Sequence, residues 1–215
     1  MSADKKKSLI VLWKNKFSEK NFRNEFLIAI SILIISLFSI SNFLLYNELR
    51  KGSVIFDPVL NLFNPVDVTW ITFIIIYAGL ITAVVHLIKL PELLTLSFLT
   101  YSFTVLMRLT AMYTLPLDPP ANIIPLNDPF VQLFGTGNIL LKDLFFSGHT
   151  STLFLLFLII ENKKLKLMFL ILTISVAICV LIQHVHYTVD VIAAPFFTYG
   201  SFILAQKFLN FMRKF

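Results

Sequence analysis

Two short stretches carry most of the residues that could do chemistry in this chain. One runs from Asp143 to Thr150 and reads DLFFSGHT, and the other runs from His184 to Asp190 and reads HVHYTVD. Ionisable side chains beside apolar membrane segments are costly and are functional candidates by default. His186 and Asp190 are four residues apart, so on a helix they would share a face and their side chains could meet. We predict that the two stretches meet across one pocket.

The residue types in these stretches favour chemistry at phosphorus. A carboxylate bonded to one imidazole nitrogen fixes the tautomer and leaves the other nitrogen free to act as a nucleophile. A second imidazole can give a proton to the leaving oxygen. Two predicted helix N-termini offer free N–H groups to an anion, Gly148 allows close backbone approach to an oxyanion, and Arg108 and Lys142 add positive charge. Phosphoryl-type transfer through a phosphohistidine is therefore predicted.

Composition places the chain in a membrane. It has 215 residues, of which 57% are hydrophobic, and a mean hydropathy of +0.83. A soluble domain of this length could not bury so much apolar surface. The single cysteine, Cys179, excludes an internal disulfide, and we expect neither a metal nor a cofactor. The glycines form no phosphate-binding loop. The net charge of +6 reflects clustered basic residues and argues for membrane topology, not for nucleic acid as a partner.

We predict an all-α, polytopic membrane protein with six transmembrane helices in one bundle. An apolar helix needs about 20 residues to cross about 30 Å of hydrocarbon. Residues 25–215 form the single membrane domain, and residues 1–24 precede it. The predicted spans are Phe26–Tyr46, Val68–Ile88, Leu93–Thr114, Leu144–Ile160, Leu167–Val185 and Val189–Phe208.

The basic residues predict the orientation. Of the 18 lysines and arginines, 14 fall in the termini and in the loops on the same side, and four fall on the other side. Because positive loops stay in the cytoplasm, both termini are predicted to be cytoplasmic and the motifs to face outward. The usage of Ile, Phe, Lys and Asn is typical of a bacterial protein, so the expected location is the inner membrane, with the site at its periplasmic face.

Two further segments have their own predicted roles. Residues 1–24 alternate basic and apolar residues, which is typical either of an amphipathic segment on an anionic membrane surface or of a solvated tail with a few buried anchors. The loop from Leu115 to Asp143 contains five prolines and many apolar residues. Such a loop cannot be a regular helix, and its apolar character favours a lid over the outer pocket.

Both motifs together resemble those of the type 2 phosphatidic acid phosphatase (PAP2) superfamily, and more closely its sphingomyelin synthase branch. That branch has an Asp-x-x-x-Ser-Gly-His-Thr stretch, a His-x-His-Tyr-Thr-x-Asp stretch, and an Arg that precedes Met-Tyr and Leu-Pro, as at Arg108, Met112-Tyr113 and Leu115-Pro116 here. The resemblance covers roughly residues 68–205.

The resemblance implies roles for individual residues. His186 would be the nucleophile, Asp190 its orienting partner, and His149 the proton donor to the leaving diacylglycerol and then the base for the acceptor alcohol. The substrates would be membrane lipids: a phospholipid donor of phosphocholine or phosphoethanolamine, and ceramide or another lipid alcohol as acceptor. The matched positions add substrate-binding candidates, which are Arg108, Tyr113, Lys142, Asp143, Ser147, Gly148 and His184.

The chain also departs from the lipid phosphatases of the superfamily. It lacks their Lys-x6-Arg-Pro motif and the Ser-Arg ahead of the second His, and Phe146 stands where many of them have Pro. A phosphate monoester carries close to two negative charges and a diester carries one. A pocket with fewer fixed cations should therefore favour a diester.

Several alternatives stay open. The protein could hydrolyse a lipid phosphate or a phosphodiester, with water as the acceptor. It could instead bind haem or a metal through His149, His184 and His186, although these residues lie at one rim of the bundle. A lipid transporter is a third possibility, which the lack of inverted repeats disfavours. For single residues, His184 could contact phosphate or be solvated, and Lys142 and Asp143 could only cap the following helix.

Overall fold

The computed structural model describes residues 3–126 and 140–214, in which the regular secondary structure is helical. The α-helices in them are α1 (Ala3–Ser18), α2 (Lys20–Glu48), α3 (Thr69–Leu87), α4 (Pro91–Thr114), α5 (Gly148–Ile159), α6 (Lys163–Ile182) and α7 (Thr188–Met212). A short 3-10 helix covers Leu60–Leu62. The predicted all-α class of an integral membrane protein is confirmed.

Helices α2, α3, α4, α6 and α7 are long and apolar enough to cross a membrane. The fourth predicted span, Leu144–Ile160, is shorter than expected: α5 begins only at Gly148 and has 12 residues. At 1.5 Å per residue, such a helix is about 18 Å long. Hence α5 is shorter than the hydrocarbon thickness of a bilayer.

The centre of the bundle is built around α4 and α5. Helix α4 packs against α2, α5 and α7, and α5 also packs against α6 and α7, while α3 packs mainly on α6. Leu153, Phe169, Val176 and Val180 in the core have no exposed surface. Helices α2 and α3 make no substantial contact with each other over their described lengths. They therefore leave a gap on one side of α4.

The N-terminal helix α1 is attached to the bundle at the end opposite the two motifs. The indole of Trp13 donates a hydrogen bond to the carbonyl oxygen of Ile88 (2.9 Å), and Lys16 pairs with Glu92 (2.7 Å). Aromatic rings of α1 and α2 cluster beside these contacts. Ile10 and Val11 stay exposed. The segment thus combines anchoring contacts with an exposed apolar surface.

The loops at the motif end, by which we mean the end that carries residues 143–150 and 184–190, are joined by hydrogen bonds. Ser53 and Leu117 form a parallel bridge, and the phenol of Tyr187 accepts from the Ile55 N–H and donates to the Asp118 carbonyl oxygen. Of the Pro-rich loop, residues 115–126 and 140–143 are described. The rest of the predicted lid, 127–139, lies outside the described residues.

Candidate active site

A main-chain hydrogen bond joins the two motif stretches. The Ser147 N–H donates to the carbonyl oxygen of Asp190 over 3.1 Å. Ser147 also caps α5, because its hydroxyl accepts from the Thr150 N–H (3.4 Å). The interpretation of Lys142 and Asp143 as caps of this helix is therefore wrong: Ser147, fully buried, holds that position. The N-terminal turns of α5 and α7 are consequently held side by side.

His186 and Asp190 form the buried half of the site. The Nδ1 atom of His186 lies 3.4 Å from Oδ2 of Asp190, and the two side chains are 2% and 0% exposed. The contact does not arise on a helix face as predicted, because α7 begins at Thr188, after His186. Asp190 instead reaches back over the helix start, where its Oδ2 also accepts from the Tyr187 N–H (3.1 Å). A carboxylate in this position favours a proton on Nδ1 and leaves Nε2 as the reactive nitrogen.

His149 faces His186 from the first turn of α5. The two ring centroids are 6.3 Å apart, and the ring planes are inclined by 67°. Both side chains line the same cavity. At this separation, two imidazoles can contact one phosphate group from different sides, one as a nucleophile and the other as a proton donor.

Arg108 supplies the positive charge beside the two histidines. Its Nε donates to the Phe146 carbonyl oxygen (2.8 Å), and its guanidinium pairs with the Asp143 carboxylate. Gly148 gives it space: a Cβ atom at this glycine would lie 2.7 Å from Nη1 of Arg108. Gly148 therefore accommodates the guanidinium, which places the charge of Arg108 next to the first turn of α5.

A cavity of about 620 Å³ connects this polar cluster to the apolar interior. Arg108, Asp143, His149 and His186 lie at its polar end. Its walls are mainly leucines of α2, α3, α4 and α5, and the described ends of the Pro-rich loop contribute Ile123, Pro125, Leu126, Leu140 and Leu141. Among the described lining residues, Arg108 is the only lysine or arginine. The cavity is thus amphipathic and weakly cationic.

Other candidate residues lie outside the described lining of this cavity. Tyr113 is 58% exposed on α4, and its ring lies beside the Arg50 guanidinium. Lys142 pairs with Asp118 (2.8 Å). His184 is buried, not solvated: its ring packs on Phe63 and lines a second cavity formed by loop residues.

Asp57 supports the site but was not among the residues singled out from the sequence. Its Oδ2 accepts from the Thr188 N–H (2.6 Å), and its Oδ1 accepts from the Thr188 hydroxyl (3.0 Å) and from the Val59 and Leu60 N–H groups. It therefore caps α7 from 131 residues away in the chain. The Asp57-Pro58 pair is a turn signal, but nothing local indicates the distant partner.

Burial tends to raise the pKa of Asp57, but hydrogen bonds from the Thr188, Leu60 and Val59 N–H groups and the Thr188 hydroxyl outweigh it, so that the pKa lies below its usual value. The carboxylate is consequently charged at neutral pH, beside the positive end of the α7 dipole.

These features define an all-α integral membrane protein whose candidate site combines two imidazoles, a buried carboxylate and an arginine. Residues 142–207 match the family model described as PAP2 superfamily C-terminal. The match covers about a third of the chain and includes both motif stretches, so this part of the chain is similar to the PAP2 superfamily. No curated protein and no solved structure matches the chain significantly.

We expect Gly148→Ala to reduce catalytic activity by at least about tenfold while leaving the fold intact. The added methyl group would displace the Arg108 guanidinium, and one misplaced charge-stabilising group costs on the order of a hundredfold in rate. The measurement is lipid turnover by purified protein. Gly200→Ala is the matched control, since a Cβ there meets no atom within 4 Å. Equal activity of the two variants would contradict the role given to the Arg108–Gly148 contact.

We expect Asp57→Asn to lower the stability by about 0.5–1 kcal/mol at pH 7, because the amide cannot match the charged cap of α7. A carboxylate whose pKa is lowered on folding stabilises the fold above its unfolded pKa of about 3.9 and loses this effect as the pH falls through the folded value. The difference between wild type and variant should therefore shrink below about pH 4. Thermal unfolding of both proteins in detergent at pH 7 and pH 3 measures this difference in stability. A stability difference that does not change with pH would argue against the charged cap.

Proposed function

We propose that this protein is a lipid phosphotransferase. It moves a phosphocholine or phosphoethanolamine group from a glycerophospholipid to a lipid alcohol such as ceramide, and it releases diacylglycerol. The observation that carries the proposal is the pair of opposed imidazoles, His149 and His186, at the polar end of a largely apolar cavity. The family match supports the coarser statement, a lipid phosphatase or phosphotransferase type of activity.

The charge of the site favours a phosphodiester substrate. Arg108 is the only permanent cation among the described residues that line the cavity, and Asp143 already pairs with it. The pair is largely buried: the two side chains are 10% and 32% exposed. A dianionic monoester would need more than one positive charge to offset its desolvation in such a place. A monoanionic diester needs less positive charge, and the two helix N-termini supply part of that charge.

The proposed reaction has two steps with His186 as the carrier. In the first, Nε2 of His186 attacks phosphorus, the bond from phosphorus to the diacylglycerol oxygen breaks, and protonated His149 gives its proton to that oxygen. In the second, neutral His149 takes the proton of the acceptor alcohol, the alkoxide oxygen attacks phosphorus, and the phosphorus–nitrogen bond breaks. Asp190 stabilises the charge that develops on the His186 ring in each step, and Arg108 meets the charge on the phosphoryl oxygens.

The products formed by the purified protein decide between this transfer and hydrolysis. Proteoliposomes with phosphatidylcholine or phosphatidylethanolamine, with or without ceramide, would be followed by lipid mass analysis. A headgroup that appears on ceramide supports transfer. Inorganic phosphate from phosphatidic acid would instead show a monoesterase, and a water-soluble phospho-headgroup without ceramide would show a phospholipase C-like hydrolase.

His186→Ala and His149→Ala are each expected to lower turnover by about 10²–10⁴-fold, because each removes a group that acts in the transition state. Asp190→Asn should also cost heavily, because the amide favours the wrong imidazole tautomer. An acid-labile phospho-headgroup on the protein should form from radiolabelled donor in the wild type and be absent in His186→Ala. Membrane insertion serves as the control, and near-normal turnover in a histidine variant would remove that residue from the mechanism.

The proposed site faces away from the cytoplasm. Reporter fusions at both termini should report a cytoplasmic location, whereas a cysteine introduced at exposed Leu62 in a Cys179→Ser background should react with a membrane-impermeant reagent added outside. Labelling of the Leu62 position only after permeabilisation would reverse the proposed orientation.

A further inference from the structure

Helix α4 presents a row of polar residues to the cavity. Ser97, Tyr101, Thr104 and Arg108 all line it. Their spacing of four, three and four residues places them along one face of the helix. The row descends from the phosphate-binding end, marked by Arg108, into the apolar part of the cavity. It is the polar stripe of an otherwise leucine-rich surface.

Three members of the row already form hydrogen bonds within the protein. The Ser97 hydroxyl donates to the Leu93 carbonyl oxygen (2.7 Å), and the Thr104 hydroxyl donates to the Thr100 carbonyl oxygen (2.8 Å). Arg108 is held by Phe146 and Asp143.

The Tyr101 phenol differs from its neighbours. Within the described part of the chain it has no hydrogen-bond partner, although its ring packs in the core. Phenols in apolar surroundings usually find a partner. A lipid in the cavity can supply one.

The position of Tyr101 indicates which part of a lipid this would be. It lies seven residues before Arg108, two helical turns or about 10 Å along the axis. Its side chain lines the same cavity as Arg108 and Asp143. In a lipid whose phosphate is at the two histidines, the groups just below it are the linkages to the hydrocarbon chains. An ester or amide linkage there offers a carbonyl oxygen, whereas an ether oxygen is a poorer acceptor.

We propose that Tyr101 donates a hydrogen bond to the carbonyl oxygen of an acyl linkage in the bound lipid, and so selects acyl-linked lipids over ether-linked ones. This inference rests on the proposed function, because it places the lipid's phosphate at His149 and His186. Tyr101 lies outside both motif stretches, and the proposal gives it a role in determining specificity.

The test compares two donors that differ only in their two linkage carbonyls, a diacyl and a dialkyl phosphatidylcholine with the same chain lengths. A hydrogen bond contributes about 0.5–1.5 kcal/mol, so wild type should prefer the diacyl donor by about three- to tenfold in kcat/KM. Tyr101→Phe should lose this preference by weakening the diacyl donor alone, mainly through KM. Tyr199→Phe, an exposed tyrosine on α7, is the matched control and should keep the preference.

Binding measured without turnover separates this proposal from the proposed function. In a His186→Ala background, the two lipids would compete with a fluorescent phospholipid in detergent micelles, with and without Tyr101→Phe. Loss of the diacyl preference on Tyr101→Phe supports the proposal even if no transfer occurs. The proposal is overturned if wild type shows no preference, or if Tyr101→Phe retains it in both assays.

Discussion

The hydrogen bond from the Ser147 N–H to the Asp190 carbonyl oxygen is the constraint on which the candidate site depends. It joins the start of α5 to the first turn of α7. Each partner has a second role: Ser147 caps α5, and the Asp190 side chain holds the ring of His186. One pairing thus joins the start of α5, which carries His149, to the first turn of α7, which directly follows His186. Neither helix could shift along the other without separating the two imidazoles.

The ionisable groups of the site lie in close pairs inside an apolar bundle. Asp190 is fully buried, and its Oδ1 has no hydrogen-bond partner among the described residues. Leaving a carboxylate oxygen unpaired is costly, and the low local dielectric strengthens the contact between Asp190 and Nδ1 of His186. Arg108 is likewise matched to Asp143. Removing one member of either pair would leave its buried partner unmatched, so these pairs act as units.

Much of this arrangement can be read from local sequence, since the apolar runs and the two motifs depend on residues close in the chain. The helix bounds differ from the predicted spans by up to six residues. At α5 the prediction began too early, because the buried residues Leu144 and Phe146 look like helix but precede the Ser147 cap.

Local sequence does not predict the direction of single side chains or contacts between distant residues. Tyr113 lies five residues after Arg108, which on a helix turns it about 140° away from the cavity face. His184 has a positive φ of 55°, and so its ring points into the loops and not toward His186. The cap by Asp57 and the hold of Glu48 on the Leu141 and Lys142 N–H groups join residues more than 90 positions apart. No local pattern contains such pairs.

The gap between α2 and α3 has a kinetic consequence. Both helices line the cavity, yet they do not pack on each other along their described lengths. With a lipid substrate of the proposed kind, a cavity bounded in this way would exchange its contents with the surrounding leaflet in two dimensions, without passing through water. The quantity that governs its occupancy is then the mole fraction of a lipid in the membrane, and added inert lipid acts as a diluent even when the total concentration in the sample is unchanged.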